Sequence, residues 1–176
     1  MFGGLQTARF EDATVLRLPE ATPQPKRDTR RQASHSSNRM NPEGKPVRNE
    51  ILLSIPDEEY DIVGPHLEYL SLPHCLSLHE PNRMVEYAYF PNRGLVSLVV
   101  ETEDGKTVEV GVVGNEGIAG IPSSVGLKKS PLREVVQIAG DGFRIGVRSL
   151  QKYLPSPPEL RNVLSRYAVV QGLQIS

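Results

Sequence analysis

The chain has 176 residues, a formal net charge of −1, fifteen glycines, fifteen prolines and a single cysteine. That length suits one domain, and the near-neutral charge supplies no global field for nucleic acid or an anionic membrane. One cysteine, Cys75, excludes an intrachain disulfide and a thiol-ligated zinc or iron–sulfur centre, and no apolar run approaches the ~20 residues of a membrane span.

Residues 1–46 differ from the rest. Phe2 and Phe10 are their only aromatics, and Pro, Ser, Arg, Asn and Gln dominate from Ala21 to Pro46. Such a stretch buries too little apolar surface to offset chain entropy, so a disordered, mildly basic tail is expected. The start carries no basic region followed by an apolar core, so it is not read as a secretory signal, and a cytoplasmic protein is expected.

From Val47 the pattern is globular. Asn49–Leu53 reads as a short helix, and Asp57 can cap a second one that Gly64-Pro65 ends. Strand-like runs follow at Leu67–Leu72, Cys75–Leu78 and Met84–Phe90, then a turn at Pro91–Gly94 and another strand at Leu95–Glu101. Glu103-Asp104-Gly105 closes a hairpin into Lys106–Val113, where Val108, Val110 and Val112 share one side at the two-residue period. Arg133–Ile138 and Phe143–Val147 are further strands, with a turn at Ala139–Gly142 between them. About seven short strands with tight turns indicate a sandwich, jelly roll or barrel.

The end is helical. Ser149–Leu154 makes a short turn of helix, and Ser156 is placed to cap a longer one with Pro157 at its first position. Leu160, Val163, Leu164, Tyr167, Ala168 and Gln171 fall on one face of it.

The stretch KTVEVGVVGNEGIAG, Lys106–Gly120, is the organising feature. Gly111, Gly114, Gly117 and Gly120 recur every three residues after a strand. Glycine at this density lets backbone approach either other backbone or a ligand. If an anion binds, the expected cradle is the amides of Gly117, Ile118, Ala119 and Gly120, with Lys129, Ser130 or Arg133 near the charge.

Helical preface, β-roll, internal glycine loop and trailing amphipathic helix together resemble the cyclic-nucleotide-binding-like sensor domain of Crp/Fnr-type transcription regulators. The telling stretches are IPDEEYDIVGPHLEYLSL, VEYAYFPNRGLVSLV, DGKTVEVGVVGNEGIAG and SPLREVVQIAGDGFRI. The resemblance implies a mainly β fold: a β-roll (double-stranded β-helix or jelly roll) over 47–154, with short N-terminal helices and, from 155 to 176, the start of a dimerisation helix. It implies a non-catalytic sensor and a homodimer seam along Leu160, Val163, Leu164, Tyr167 and Ala168. In such regulators a helix-turn-helix domain follows; none is present up to Ser176, so DNA binding is expected only if that domain follows in the full gene.

Members that bind cyclic AMP use a Gly-Glu pair and a later Arg. Here Gly117 is followed by Ile118 and Ala119, and Lys128, Lys129 and Ser130 stand where the Arg is expected. Neither Ile nor Ala accepts from a ribose hydroxyl, and lysine lacks the planar fork of arginine. The cassette reads as degenerate, so no cofactor is expected, with a cyclic nucleotide or a different small molecule left open as effector. Two alternatives remain: a stand-alone nucleotide-binding module acting through a protein partner, and a cupin-like metal enzyme using His74, His79 and Glu80. The two histidines are five apart instead of paired on one strand, so edge or surface positions are expected for them. No P-loop, G-x-S-x-G or H-E-x-x-H occurs.

Overall fold

The computed structural model describes residues 38–102, 104–120 and 128–174. The part of the expected tail at 1–37 lies outside them. Residues 38–46, assigned to that tail from composition, are folded. Arg39 is buried and donates to the carbonyls of Leu52 and Ile55 and to the Asp57 carboxylate. Met40 bridges Pro46, and the Asn41 side chain accepts from the Glu43 and Lys45 amides. A polar segment can thus be ordered by hydrogen bonds to its neighbours without apolar burial of its own.

Helix α1 (Glu50–Ser54) starts where Asn49 caps the Leu52 amide. Helix α2 (Asp57–Val63) follows; Pro56 takes its N-cap position in place of the expected Asp57, whose carboxylate pairs with Arg39. Strands β1 (Glu68–Leu72) and β2 (Ser77–His79) come next. Cys75, expected in a strand, is exposed in the preceding turn with φ 65°.

Two long antiparallel strands carry the sheet: β3 (Tyr87–Glu101) and β5 (Arg133–Gly146). The order is β1-β5-β3-β4, with β4 spanning Thr107–Val113 and β2 pairing with β5. Each long strand replaces two expected short ones. Pro91–Gly94 is a pair of register shifts within β3 instead of a turn. Ala139–Gly142 likewise runs on through β5, because its glycines face backbone. A Cβ on Gly140 would lie 2.0 Å from the Arg93 carbonyl oxygen, and one on Gly142 2.5 Å from that of Phe90. The glycines thus serve close strand approach, not chain reversal.

Val108, Val110 and Val112 do not share a face. A bulge opposite Leu98 and Val99 interrupts β4, so Val110 packs inward while Val108 and Val112 are exposed.

Two apolar clusters form the core. One joins α1, α2 and both later helices to the roll through Leu52, Ile55, Phe90, Ile118, Phe143 and Leu150. The other fills the roll with Leu72, Tyr89, Val96, Leu98, Val113 and Val136. Helices α3 (Val147–Tyr153) and α4 (Pro158–Gln174) close the first cluster. The start of α4 is capped from a distance: the Glu59 carboxylate of α2 accepts from the amides of Glu159 at 2.9 Å and Leu160 at 2.8 Å. A carboxylate at this end also complements the helix dipole. No helix among the described residues is long and apolar enough to cross a membrane.

Candidate functional site

The glycine loop leaves β4 at Val113 and turns inward. Ile118 and Ala119 are fully buried, and Ala119 exchanges both backbone hydrogen bonds with Tyr89 at 2.9 Å. The Gly117 amide donates to the Gly114 carbonyl at 3.2 Å, and the Tyr167 hydroxyl lies against the loop at Gly117. The Gly120 amide donates to Glu134 Oε2 at 2.8 Å. Three of the four amides expected to cradle an anion, those of Gly117, Ala119 and Gly120, are therefore bonded inside the protein, and Tyr167 covers the loop beside the fourth.

The expected cations are not gathered there either. Lys129 is exposed and bridges Met84 through its backbone. Arg133 pairs with Glu80 at 3.5 Å on the surface. Ser130 is buried, with its hydroxyl donating to the Leu132 carbonyl at 2.7 Å.

What closes the Gly120 end is a pair that the sequence did not single out. His79, expected at an edge or on the surface, is 6% exposed, and Glu134 is 3% exposed. His79 Nδ1 lies 3.0 Å from Glu134 Oε2, and its Nε2 lies 2.9 Å from the Tyr87 carbonyl oxygen. A carbonyl only accepts, so Nε2 carries a proton and the contact with Glu134 holds another. The ring also meets Tyr89 edge-on at 5.6 Å. Gly120 has φ +85°, and a Cβ there would lie 2.9 Å from His79 Cε1. Both ring nitrogens of His79 thus face protein acceptors, and His74 Nδ1 is directed at the Gln137 carbonyl at 2.8 Å. Among the described residues no group of His, Cys, Asp and Glu is arranged to hold a metal ion.

The other end of the loop is tied to the helices. Asn49 Nδ2 donates to the carbonyls of Gly117 at 2.8 Å and Pro91 at 3.0 Å, and the Glu50 amide donates to the Asn115 carbonyl at 2.7 Å. Tyr167 of α4 sits directly over the loop: a Cβ on Gly117 would lie 1.9 Å from its hydroxyl oxygen. Burial pushes that phenol well above its usual range, with the nearby Glu116 carboxylate adding to the rise.

The expected dimer stripe is mostly occupied within the chain. Leu160 and Leu164 are each 1% exposed in the first core cluster, and Val163, Tyr167 and Ala168 pack against it. The exposed apolar residues of α4 are Val169, Val170 and Leu173.

Neither a protein-family model nor a curated protein sequence matches the chain. Solved structures do. The N-terminal domain of a transcriptional regulator from Streptomyces coelicolor A3(2) is similar at 22% identity and a TM-score of 0.55, over 73% of this chain and 90% of that one. The c-di-GMP-responsive global regulator CLP of Xanthomonas campestris is similar at 14% identity and 0.58, over 67% of this chain and 60% of its own. A cyclic nucleotide-binding domain from Methylobacillus flagellatus is similar at 18% identity and 0.55, over 73% of each chain. The fold is therefore the cyclic-nucleotide-binding-like β-roll expected from the sequence.

Proposed function

We propose that this chain is the sensor and dimerisation module of a Crp/Fnr-like transcription regulator, cytoplasmic and non-catalytic. The observation that carries the reading is the contact between Tyr167 and the loop at Gly117 and Ile118. It couples the position of the loop to α4, the element through which such a module would report to a second copy. The chemistry around the loop supports a role without catalysis: His79 and Glu134 are engaged with each other and with backbone, and neither is presented to solvent.

Cyclic AMP is not its ordinary ligand on this reading, because three of the loop amides face protein acceptors and His79 stands beside Gly120. Self-association uses the exposed stripe Val169, Val170 and Leu173 in place of the buried Leu160 and Leu164. DNA would be read by a further domain of the full regulator and not by the described residues.

Sedimentation velocity tests the output, and calorimetric titration tests the input. The wild type is expected to sediment as a dimer at tens of micromolar, and Val170→Glu as a monomer. Cyclic AMP and cyclic GMP are expected to give no heat at millimolar concentration. A clean wild-type monomer would remove the dimer, and saturable heat would show that the cassette opens.

A further inference from the structure

A second polar site lies beside Asn115, at the start of the glycine loop, and does not depend on the sensor reading. A pocket of about 540 Å³ is walled by Asn38, Arg39, Arg48, Asn92, Arg93 and Asn115, with no carboxylate among the described residues that line it. Arg39 is committed to Leu52, Ile55 and Asp57. Asn92 is committed too: its Oδ1 accepts from the amides of Arg48 and Asn49, and its Nδ2 donates to the Pro46 carbonyl. Arg48 and Arg93 are different. Both are exposed, and neither guanidinium has a hydrogen bond or ion pair among the described residues.

The fold places Arg93 there deliberately. It sits between two register shifts of β3, next to Gly94 at φ +89°. Bulges of this kind re-aim a side chain out of the regular strand alternation. The cross-strand partner of Arg93 is Asp141, which makes no ion pair with it and does not line the pocket.

We propose that this pocket binds a small phosphorylated ligand, with Arg48 and Arg93 as the phosphate-holding residues. Two guanidinium forks without carboxylate partners match phosphate oxygens in a bidentate manner. The side-chain amides of Asn38 and Asn115 line the pocket beside them; that of Asn115 gives one proton to the Arg48 carbonyl at 3.5 Å and keeps a second. No aromatic ring among the described residues lines the walls, so the recognised part is the phosphate and not a stacked base. The site also has a route to the loop. Asn115 forms part of its wall while its carbonyl accepts from the Glu50 amide at 2.7 Å, two residues before Gly117.

Pyrophosphate is the probe. The full chain is titrated at low ionic strength by calorimetry, and in parallel by amide chemical shifts. Saturable binding is expected, with the largest shifts at Asn115 and in the 46–49 and 92–94 segments. Arg93→Gln and Arg48→Gln should each weaken it about tenfold or more, the loss of a charge-assisted contact. Lys129→Gln should leave it unchanged. Both arginines are exposed, so thermal melts without ligand should match the wild type and certify folding. No binding at millimolar pyrophosphate overturns the proposal. So does binding that survives both arginine substitutions, or shifts centred on Lys128–Arg133.

Discussion

The two ends of the glycine loop are held by different chemistry. At Gly117 the constraint is space and neutral hydrogen bonding: Asn49 below, the Tyr167 hydroxyl above, and no room for a Cβ. At Gly120, only three residues on, the constraint is a buried histidine–carboxylate pair inside the roll. The first end belongs to the helices and the second to the barrel. Seven residues from Gly114 to Gly120 therefore bridge the two core clusters, and a shift at either end must be felt at the other.

Removing Glu134 should have the largest effect. Glu134→Ala leaves His79 and the Gly120 amide without their shared acceptor in a buried site. Breaking one side of a buried pair costs about 3–5 kcal/mol. Chemical denaturation of Glu134→Ala measures it, and Glu134→Gln, which keeps an acceptor for Gly120, should lose less. A loss below ~1 kcal/mol in both would mean that the pair does not hold this end.

Gly117→Ala comes next. Its new methyl meets the Tyr167 hydroxyl, and overpacking of this kind costs about 1–3 kcal/mol. Tyr167→Phe removes the obstructing oxygen, so the double variant should recover part of the loss. If it recovers none, the crowding at this end comes from the atoms the double variant keeps, the ring carbon Cζ of residue 167 at 2.5 Å from the same methyl and Val113 Cγ1 at 3.0 Å. Asn49→Ala should cost a comparable amount, about 1–3 kcal/mol spread over the bonds to Pro91 and Gly117 and the cap on Leu52. Its effect should not add to that of Gly117→Ala, since both act on the same carbonyl and turn.

The sequence made the helix end of this comparison partly legible and hid the barrel end. Asn49 before a short apolar run is a local capping signal, and the glycine period is local too. Leu160 and Leu164 were readable as an apolar stripe, but period alone does not say whether the stripe meets the same chain or a second copy. The long strands were misread because Gly94, Gly140 and Gly142 look alike whether glycine turns the chain or admits a neighbouring carbonyl. His79 and Glu134 are separated by 55 residues, and Glu59 and Leu160 by 101. No spacing rule relates such pairs; only the register of β2 on β5 and the packing of α2 under α4 brings them together. Arg39 was hidden in the same way, inside a segment whose composition resembles a solvated tail.

The smallest effect expected near neutral pH becomes visible in alkali, and it separates the two clusters once more. Burial pushes the Tyr60 phenol up to about 12, with the Arg39 guanidinium 4.5 Å from its ring opposing the rise. Burial raises Tyr89, beside His79, in the same direction, with Arg144 opposing. A phenol raised in the folded state favours the protonated form there. The unfolded chain releases the proton first, near its ordinary value of 10.0. Stability from this source is therefore complete below about pH 9 and falls as the pH rises from about 10 toward 12. The denaturation midpoint should stay level and then drop across that window. Tyr60→Phe should flatten part of the drop on the helical side and leave the Tyr89 part in place. Parallel curves for wild type and variant would assign the alkaline loss to the other two raised phenols, Tyr89 beside His79 at the Gly120 end of the loop and Tyr167 at its Gly117 end.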